Sequence, residues 1–287
     1  GAEIENANGS QKGDIIYGND LNNELYGNGG ADYILGGSGD DFLDGGVGTD
    51  TAGYMAGRFG YSVQSLSGSI IVTDNISSEG DDTLVNIERL EFTDYTVNLT
   101  IGDMVNSIAT ETLKTLEELY IAFFNRVPDA DGLEFWIGQF NAGQSINQIA
   151  ESFYSAGIQY SDLTGFSESM TNTDFINVVY RNVLGRDDGA DAGGLYHWNN
   201  ALQSGAESNG TLVSAIITAA HTYKGDVEWG WVADLLDNKV EVAHLFAADY
   251  GLNGLTPEAS ISEGMAIAAA VTPTDTSAAL ELIGIIG

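Results

Sequence analysis

The sequence contains no cysteine, and its 287 residues include only nine lysines and arginines against 42 acidic residues. Without cysteine there can be no disulfide, thiolate metal site or catalytic thiol. The formal net charge of -33 repels nucleic acid phosphates and excludes a nucleic-acid-binding role. Such self-repulsion opposes compaction unless cations enter the folded structure, and oxygen-rich sites select calcium. We therefore expect bound calcium ions.

Long apolar runs are also missing. No stretch approaches the roughly 18 consecutive apolar residues that a membrane span needs. The first residues, GAEIENANGSQKGD, lack the basic and apolar segments of a cleavable signal peptide. We expect no membrane span and, for a secreted protein, export by a route that needs no such peptide.

Common catalytic motifs do not occur. The sequence has no HExxH pair, no GxSxG elbow and no GxxxxGK[ST] loop, and its three histidines lie in separate segments. A pair of glycosidase carboxylates stays open, because acidic residues are so abundant that any pairing of them carries little information. We expect the protein not to be an enzyme.

Residues 9–53 divide without a gap into five nonapeptides, GSQKGDIIY, GNDLNNELY, GNGGADYIL, GGSGDDFLD and GGVGTDTAG. Position six holds Asp14, Asn23, Asp32, Asp41 and Asp50. Position eight holds Ile16, Leu25, Ile34, Leu43 and Ala52. A flexible linker rich in Gly, Asp and Asn has a similar composition, but five copies in register favour a repeat.

These repeats resemble the GGxGxDxUx pattern of RTX proteins, in which a glycine-rich turn precedes a short strand with an inward aliphatic residue. The resemblance implies a parallel β-roll with calcium in its turns. Position six and the turn glycines would then form the sites, with one edge of Asp14, Asp32 and Asp50 and another of Asn23 and Asp41. The glycines concerned are Gly27, Gly29, Gly36, Gly37, Gly39, Gly45, Gly46 and Gly48. The first two copies depart from the pattern, so we expect weak or empty sites there.

Short alternating runs between residues 54 and 100 predict further strands. The stretch DTLVNIERLEFTDYTVNL resembles the segment that follows the repeats in serralysin-type domains. A solenoid needs a cap over its last apolar layer, and Ile87, Leu90 and Phe92 are the candidates. Three aspartates beside this cap either supply another ion site or cap turns, namely Asp81, Asp82 and Asp94.

From about residue 111 the spacing of apolar residues predicts helices. Two segments share one frame, in which Tyr120, Arg126, Leu133, Trp136 and Gly143 correspond to Tyr180, Arg186, Leu195, Trp198 and Gly205. The frame predicts a duplicated helix–loop–helix and resembles a domain of unassigned function in bacterial S-layer proteins and exoproteins. Its arginines either bridge carboxylates or bind a sugar or carboxylate ligand. Its tryptophans belong to the core or stack on a saccharide.

The predicted fold class is multidomain β + α, an N-terminal parallel β-roll (RTX solenoid) with a β cap followed by an all-α domain. We divide the chain into the roll (1–53), the β-rich flank (54–105), the duplicated helical domain (106–225) and C-terminal helices (226–287). The last segment has an amphipathic helix to Tyr250 and a tail, LELIGIIG, that resembles a type I secretion signal.

Together these features favour a calcium-binding, secreted bacterial surface protein that self-assembles as an S-layer or biofilm-matrix component. Alternatives are a carbohydrate-binding adhesin module, or the secretion and folding tail of a larger extracellular enzyme. The expected partners are calcium ions, with self-association or a cell-surface polysaccharide. The expected location is extracellular or on the cell surface, after type I secretion.

Overall fold

The computed structural model describes residues 5–66 and 68–285. Its internal contacts divide the chain into two compact units. One comprises the residues up to Thr100 together with Gly251–Thr256, and the other comprises Ile101–Tyr250 and the residues from Pro257 onward. The first unit is built of β-strands and the second of helices, which confirms the predicted order of a β region and a helical domain.

The strands of the β unit are short, as expected for a nine-residue period. They are β1 (Asn6–Asn8), β2 (Ile15–Asn19), β3 (Glu24–Tyr26), β4 (Tyr33–Gly37), β5 (Phe42–Asp44), β6 (Thr51–Gly53), β7 (Tyr61–Leu66), β8 (Ser69–Asp74), β9 (Asp81–Val85), β10 (Arg89–Glu91), β11 (Tyr95–Asn98) and β12 (Leu252–Gly254). Each of β2 to β6 begins at position seven of a nonapeptide, directly after the turn.

Successive strands of the repeats alternate between two sheets. One sheet has the order β1-β3-β5-β9-β8-β7 and the other β12-β11-β10-β6-β4-β2. Within the repeats all neighbours are parallel, so Ile16 lies opposite Ile34 and Ile34 opposite Ala52. Because side chains alternate along a strand, position eight of every copy points the same way. All five of these aliphatic residues are buried, which confirms that they point inward.

The flank continues both sheets beyond the last repeat. Strand β9 pairs in parallel with β5, which puts Leu84 opposite Leu43, and β10 pairs in parallel with β6. The three predicted cap residues, Ile87, Leu90 and Phe92, are buried. Antiparallel strands β7, β8, β11 and β12 then complete the two sheets. The flank thus extends both sheets, and its role as a cap stays a prediction.

The second unit is helical. Its helices are α1 (Ile101–Asn106), α2 (Thr110–Phe124), α3 (Ala130–Asn141), α4 (Ile146–Gln159), α5 (Ser161–Thr164), α6 (Asn172–Leu184), α7 (Ala192–Ser204), α8 (Asn209–His221), α9 (Gly230–Ala243), α10 (Pro257–Ala270) and α11 (Ser277–Ile283). A π-helical turn, His244–Asp249, continues α9, close to the predicted helix end at Tyr250. The last two residues of the predicted secretion signal lie outside the described residues.

The duplication in this unit comprises three helices per copy. Helices α2, α3 and α4 form the first copy, and α6, α7 and α8 form the second. Asp129 and Asp191 cap α3 and α7 at equivalent places, and Ser145 and Ser208 cap α4 and α8 with capping boxes. The predicted helix pairs are confirmed, and each copy gains a third helix that the shared sequence frame does not cover.

Two segments differ from the divisions drawn on the sequence. Helix α1 begins at Ile101, within the segment that was assigned to the β-rich flank up to residue 105. Strand β12 lies within the segment 226–287, for which the sequence predicts helices. Its backbone pairs with that of β11, and Leu252 lies opposite Val97. All three of its residues are buried, and a three-residue strand leaves no periodic signal in the sequence.

Candidate metal centre

Two kinds of glycine shape the turns of the repeats. Gly37, Gly39, Gly46 and Gly48 have positive φ angles, a backbone conformation that other residues rarely adopt. Gly27, Gly36 and Gly45 stand at position one, and each faces the aspartate of its own copy. A Cβ atom on Gly36, for example, would overlap with Asp41 Oδ2. The first group therefore permits the turn, and the second leaves space beside the carboxylate.

In the third copy the positive φ angle belongs to Gly30 and not to the predicted Gly29. Gly30, with φ of 116°, is the equivalent of Gly39 and Gly48 in the third copy, whereas Gly29 forms an isolated parallel bridge with Val47. The pattern places glycine at position four, and the double glycine of this copy obscures the register. Position two of the same copy is Asn28, whose φ of 71° reproduces the left-handed turn.

Position six forms a ladder of hydrogen bonds along each predicted edge. The backbone N–H of Asp14 donates to Asp32 Oδ1 at 2.8 Å, and that of Asp32 donates to Asp50 Oδ1 at 2.8 Å. On the other edge the N–H of Asn23 donates to Asp41 Oδ1 at 2.8 Å. The structure therefore brings the five predicted residues together in the two predicted sets.

Both ladders continue beyond the repeats onto residues that the nine-residue period does not reach. The N–H of Asp41 donates to Asp82 Oδ1 at 3.0 Å, and the N–H of Asp50 donates to Glu88 Oε2 at 2.9 Å. Asp82 was one of three aspartates considered for an ion site beside the cap. Asp94 instead accepts from the N–H of Arg58 at 2.8 Å, so it caps a turn.

The second carboxylate oxygen of three ladder residues has no partner among the described residues. These atoms are Oδ2 of Asp32, Asp41 and Asp50, and all three are buried. Asp32 Oδ2 and the carbonyl oxygen of Gly45 both face Gly27, where a Cβ atom would lie 2.6 Å from that carbonyl. A buried anionic oxygen without a partner is costly, and calcium accepts both carboxylate and carbonyl oxygens. Asp32, Asp41 and Asp50 therefore fit calcium.

The electrostatics of the ladder point the same way. Burial raises the pKa of Asp41 to about 6 and that of Asp82 to about 8. Burial also raises the pKa of Asp50. Desolvation favours the neutral acid unless a cation stabilises the carboxylate. In residues 5–66 and 68–285 no three His, Cys, Asp or Glu side chains cluster around one point, so such a site would draw on backbone carbonyls as well.

The first two copies differ from the later three in the side-chain oxygens of their position-six residues. Asp14 Oδ2 accepts from the N–H of Ser10 at 2.6 Å, and this bond lowers the pKa of Asp14. Asn23 Oδ1 accepts from the N–H of Asn19 at 2.8 Å. Both oxygens already have a partner, in contrast to those of Asp32, Asp41 and Asp50. The expectation of weaker sites in these copies stays a prediction.

Comparison with known proteins identifies the repeats. Residues 6–52 match the model of the RTX calcium-binding nonapeptide repeat (4 copies), and residues 163–222 match a domain of unknown function, DUF4214. RTX nonapeptide repeats bind calcium ions and are typical of secreted proteins of type I secretion. The β unit therefore carries RTX repeats, and calcium is the ion that they bind.

Other comparisons add little. No curated protein matches the chain. Among solved structures, the extracellular lipase LipA from Serratia marcescens is similar at 20% identity, over 31% of this chain and 15% of its own, with a TM-score of 0.28. The chain thus spans a small part of that protein, and the likeness carries no argument. Within the described residues, none of the helices combines the length and the apolar character that crossing a membrane requires.

Proposed function

We propose that the chain is an extracellular surface or matrix protein whose β unit is an RTX β-roll that calcium folds and holds together. The observation that carries the proposal is the double ladder of position-six residues. Three of its buried carboxylate oxygens lack any partner among the described residues, and each lies beside a position-one glycine. Calcium supplies the missing partner.

Charge links this folding step to export. With a net charge of -33 the calcium-free chain repels itself, and ion binding to the folded state alone shifts the equilibrium towards folding. In low calcium the chain stays extended and suits a narrow type I secretion channel. Outside the cell, where calcium is abundant, the carboxylates are neutralised and the roll closes. The function is structural, and the protein is not an enzyme in this proposal.

Self-assembly is the second part of the proposal. A surface layer or matrix needs subunits that associate once they have left the cell, and calcium-driven folding provides that timing. Calcium can also neutralise charge between subunits, because the acidic residues so greatly outnumber the basic ones. Folding and association are therefore expected to rise together as calcium is added.

The test is a calcium titration against EGTA of the purified chain, read by circular dichroism and by size-exclusion chromatography with light scattering. We expect a gain of β signal and growth into large particles. Asp32→Ala and Asp41→Ala should require more calcium for both changes. The control is Glu168→Ala, which removes one exposed carboxylate from the helical unit and should behave like the wild type. A chain that folds with calcium but stays monomeric contradicts the assembly role.

A carbohydrate-binding adhesin module is the second candidate function. It is favoured by a cavity in the helical unit that is lined by Tyr180, Arg186, Trp198 and Trp229. Aromatic rings beside a few polar groups are the usual composition of a small-molecule site. The two candidates are compatible, because the cavity and the calcium ladder lie in different units.

A further inference from the structure

The second copy of the helical repeat contains a cavity of about 430 Å³. Its lining includes the aliphatic side chains of Leu184 and Ile216 and the rings of Trp198 and Trp229. Arg186 is the cationic residue of its lining. The volume falls in the range of about 300–1,000 Å³ that is usual for small-molecule sites.

In the first copy, the equivalent volume is filled by aromatic rings. Trp136 stacks on Phe153 with 4.3 Å between ring centroids. Phe124 lies 5.3 Å from Phe153, and Tyr120 meets Phe153 edge-on at 5.4 Å. Packing of this kind is typical of a closed hydrophobic core.

The second copy replaces two of these rings with aliphatic side chains. Leu184 follows Tyr180 at the spacing at which Phe124 follows Tyr120. Ile216 likewise follows the capping residue Ser208 at the spacing at which Phe153 follows Ser145. Loss of two phenyl rings removes material from the core of the repeat, and both Leu184 and Ile216 line the cavity.

The arginines of the two copies also differ. Arg126 donates to Asp129 Oδ2 and to the Tyr120 hydroxyl, both at 3.0 Å, and to the Ser260 carbonyl at 3.4 Å. Arg186 stacks instead on Trp229, with 4.4 Å from the guanidinium carbon to the ring centroid. Its distance to Asp191 is 3.6 Å, and the Asp191 side chain is 60% exposed.

In the second copy, N–H groups of Arg186 therefore stay available to a ligand. A guanidinium has five N–H donors, and stacking on an aromatic face leaves those at its edge free to donate to a ligand oxygen. The Tyr180 hydroxyl already accepts from Trp198 Nε1 at 3.0 Å, which fixes the orientation of both rings. The result is a preformed site with rigid aromatic walls and one strong donor.

The charges around the cavity select against ionic ligands. Arg186 and Asp191 both line the cavity, 3.6 Å apart, so their opposite charges offset each other and favour neither a cation nor an anion. Hydroxyl groups suit this lining, because one hydroxyl can accept from Arg186 and donate to Asp191. The apolar face of a sugar ring packs against Trp198 or Trp229 in the same way as other flat or weakly polar surfaces.

We propose that the cavity of the second copy binds an uncharged pyranose residue of a polysaccharide, with Arg186 and Asp191 contacting ring hydroxyls and the tryptophans contacting the ring face. This inference deepens the second candidate function and is independent of the calcium ladder.

The test uses isothermal titration calorimetry on the full chain at saturating calcium. The probes are neutral oligosaccharides of glucose, galactose, mannose and N-acetylglucosamine, an oligouronate, and choline. We expect saturable binding of at least one neutral oligosaccharide and none of choline. Failure of all neutral oligosaccharides to bind overturns the proposal, and so does binding that is confined to the oligouronate or to choline.

Variants then place the binding in this cavity. Ile216→Phe restores the ring that the first copy has at this position and should weaken binding by about tenfold or more, because it fills the site. Arg186→Gln should weaken binding by a similar factor of about ten, through loss of the donor. The control is Tyr196→Ala, which removes a ring that is 74% exposed on α7 and should leave affinity unchanged.

These outcomes are separable from those of the calcium experiment. Far-ultraviolet circular dichroism should show the same helical signal in all three variants, and the calcium midpoint should not move. Neutral-sugar binding that Ile216→Phe and Arg186→Gln both leave intact would place the sugar elsewhere and overturn the proposal. Loss of calcium-driven assembly alone would contradict the structural role and leave the cavity as a sugar site.

Discussion

The interior of the β unit contains four aspartates, Asp32, Asp41, Asp50 and Asp82, each no more than 2% exposed. The interior of the helical unit contains instead a cluster of rings, with Phe123, Phe153, Phe166 and Phe175 at most 1% exposed. The β unit also buries its position-eight aliphatic residues, but its buried carboxylates are costly without a cation. The helical core is stabilised by the removal of apolar surface from water, which needs no ion. One chain thus uses two sources of stability.

The sharpest way to break this comparison is to remove calcium. We expect EGTA to abolish amide protection in β2 to β6 and to leave that of α2 and α6 intact. Each site filled at a hundred times its dissociation constant contributes about 2.7 kcal/mol, so loss of several sites exceeds the effect of most substitutions. Hydrogen exchange read by mass spectrometry separates the two units.

Magnesium is the matched control for this experiment. It demands a tighter octahedral shell than a mixed set of carboxylates and carbonyls offers, so it should not restore protection at the same concentration. Strand amides that stay protected in EGTA would show that the roll does not depend on calcium. Helical amides that lose protection in parallel would show that the units do not differ.

Truncation of the helical core is the next largest effect. Phe153→Ala removes the ring that stacks on Trp136 and contacts Tyr120 and Phe124. The free energy of unfolding of the helical unit should fall by about 3–5 kcal/mol. The change should be equal with and without calcium in thermal melts followed at the helical signal. Phe135→Ala, at a ring that is 54% exposed, is the control and should shift the melt little.

The two helical copies sharpen the comparison within one unit. Asp129 accepts from the N–H of Gly132 at 2.7 Å and also pairs with Arg126, whereas Asp191 accepts from Gly194 at 2.9 Å and is 60% exposed. Loss of an N-cap costs about 0.5–2 kcal/mol. In denaturant unfolding, we expect the loss of unfolding free energy to be near the upper end of this range for Asp129→Ala and near its lower end for Asp191→Ala. Equal losses would show that the Arg126–Asp129 pair at 3.0 Å contributes no more than the longer Arg186–Asp191 pair at 3.6 Å.

Sequence periodicity predicted much of the β unit, because one residue column forms the core and another forms the ladder. It did not reach Asp82 and Glu88, since both follow an insertion that breaks the nine-residue period. The double glycine of the third copy, Gly29 and Gly30, does not reveal from sequence alone which of the two has the positive φ angle. Only the three-dimensional pairing shows which carboxylates succeed Asp41 and Asp50.

In the helical unit the shared frame of Tyr, Arg, Leu, Trp and Gly located both copies correctly. It did not reveal the cavity, because Leu184 and Ile216 are ordinary apolar residues at core positions. The replacement of a ring by an aliphatic side chain is recognised only when α4 is compared with α8, where Ile216 takes the place of Phe153. The third helix of each copy had its own signal, the capping serines Ser145 and Ser208, although these lie outside the frame.

The smallest expected effect is a pH dependence that belongs to the helical unit. His244 Nδ1 lies 3.0 Å from the buried carboxylate of Glu117, and His244 Nε2 lies 3.6 Å from the carboxylate of Asp249. The hydrogen bond to Glu117 raises the pKa of His244 above its ordinary value of 6.5. A raised histidine pKa adds stability that is complete below about pH 6.5 and is lost as the pH rises through the folded-state pKa.

His244→Gln keeps a hydrogen-bond donor for Glu117 but removes the titratable charge. The difference in melting temperature between the wild type and this variant should therefore be larger at about pH 6 than at about pH 8. Burial raises the pKa of Glu117 and the contact with His244 lowers it, so the difference reports the coupled pair of His244 and Glu117. A difference that grows with rising pH would mean that the imidazole is neutral when folded. The calcium concentration at the midpoint of the β transition should not differ between the wild type and His244→Gln at either pH, since His244 belongs to the other unit.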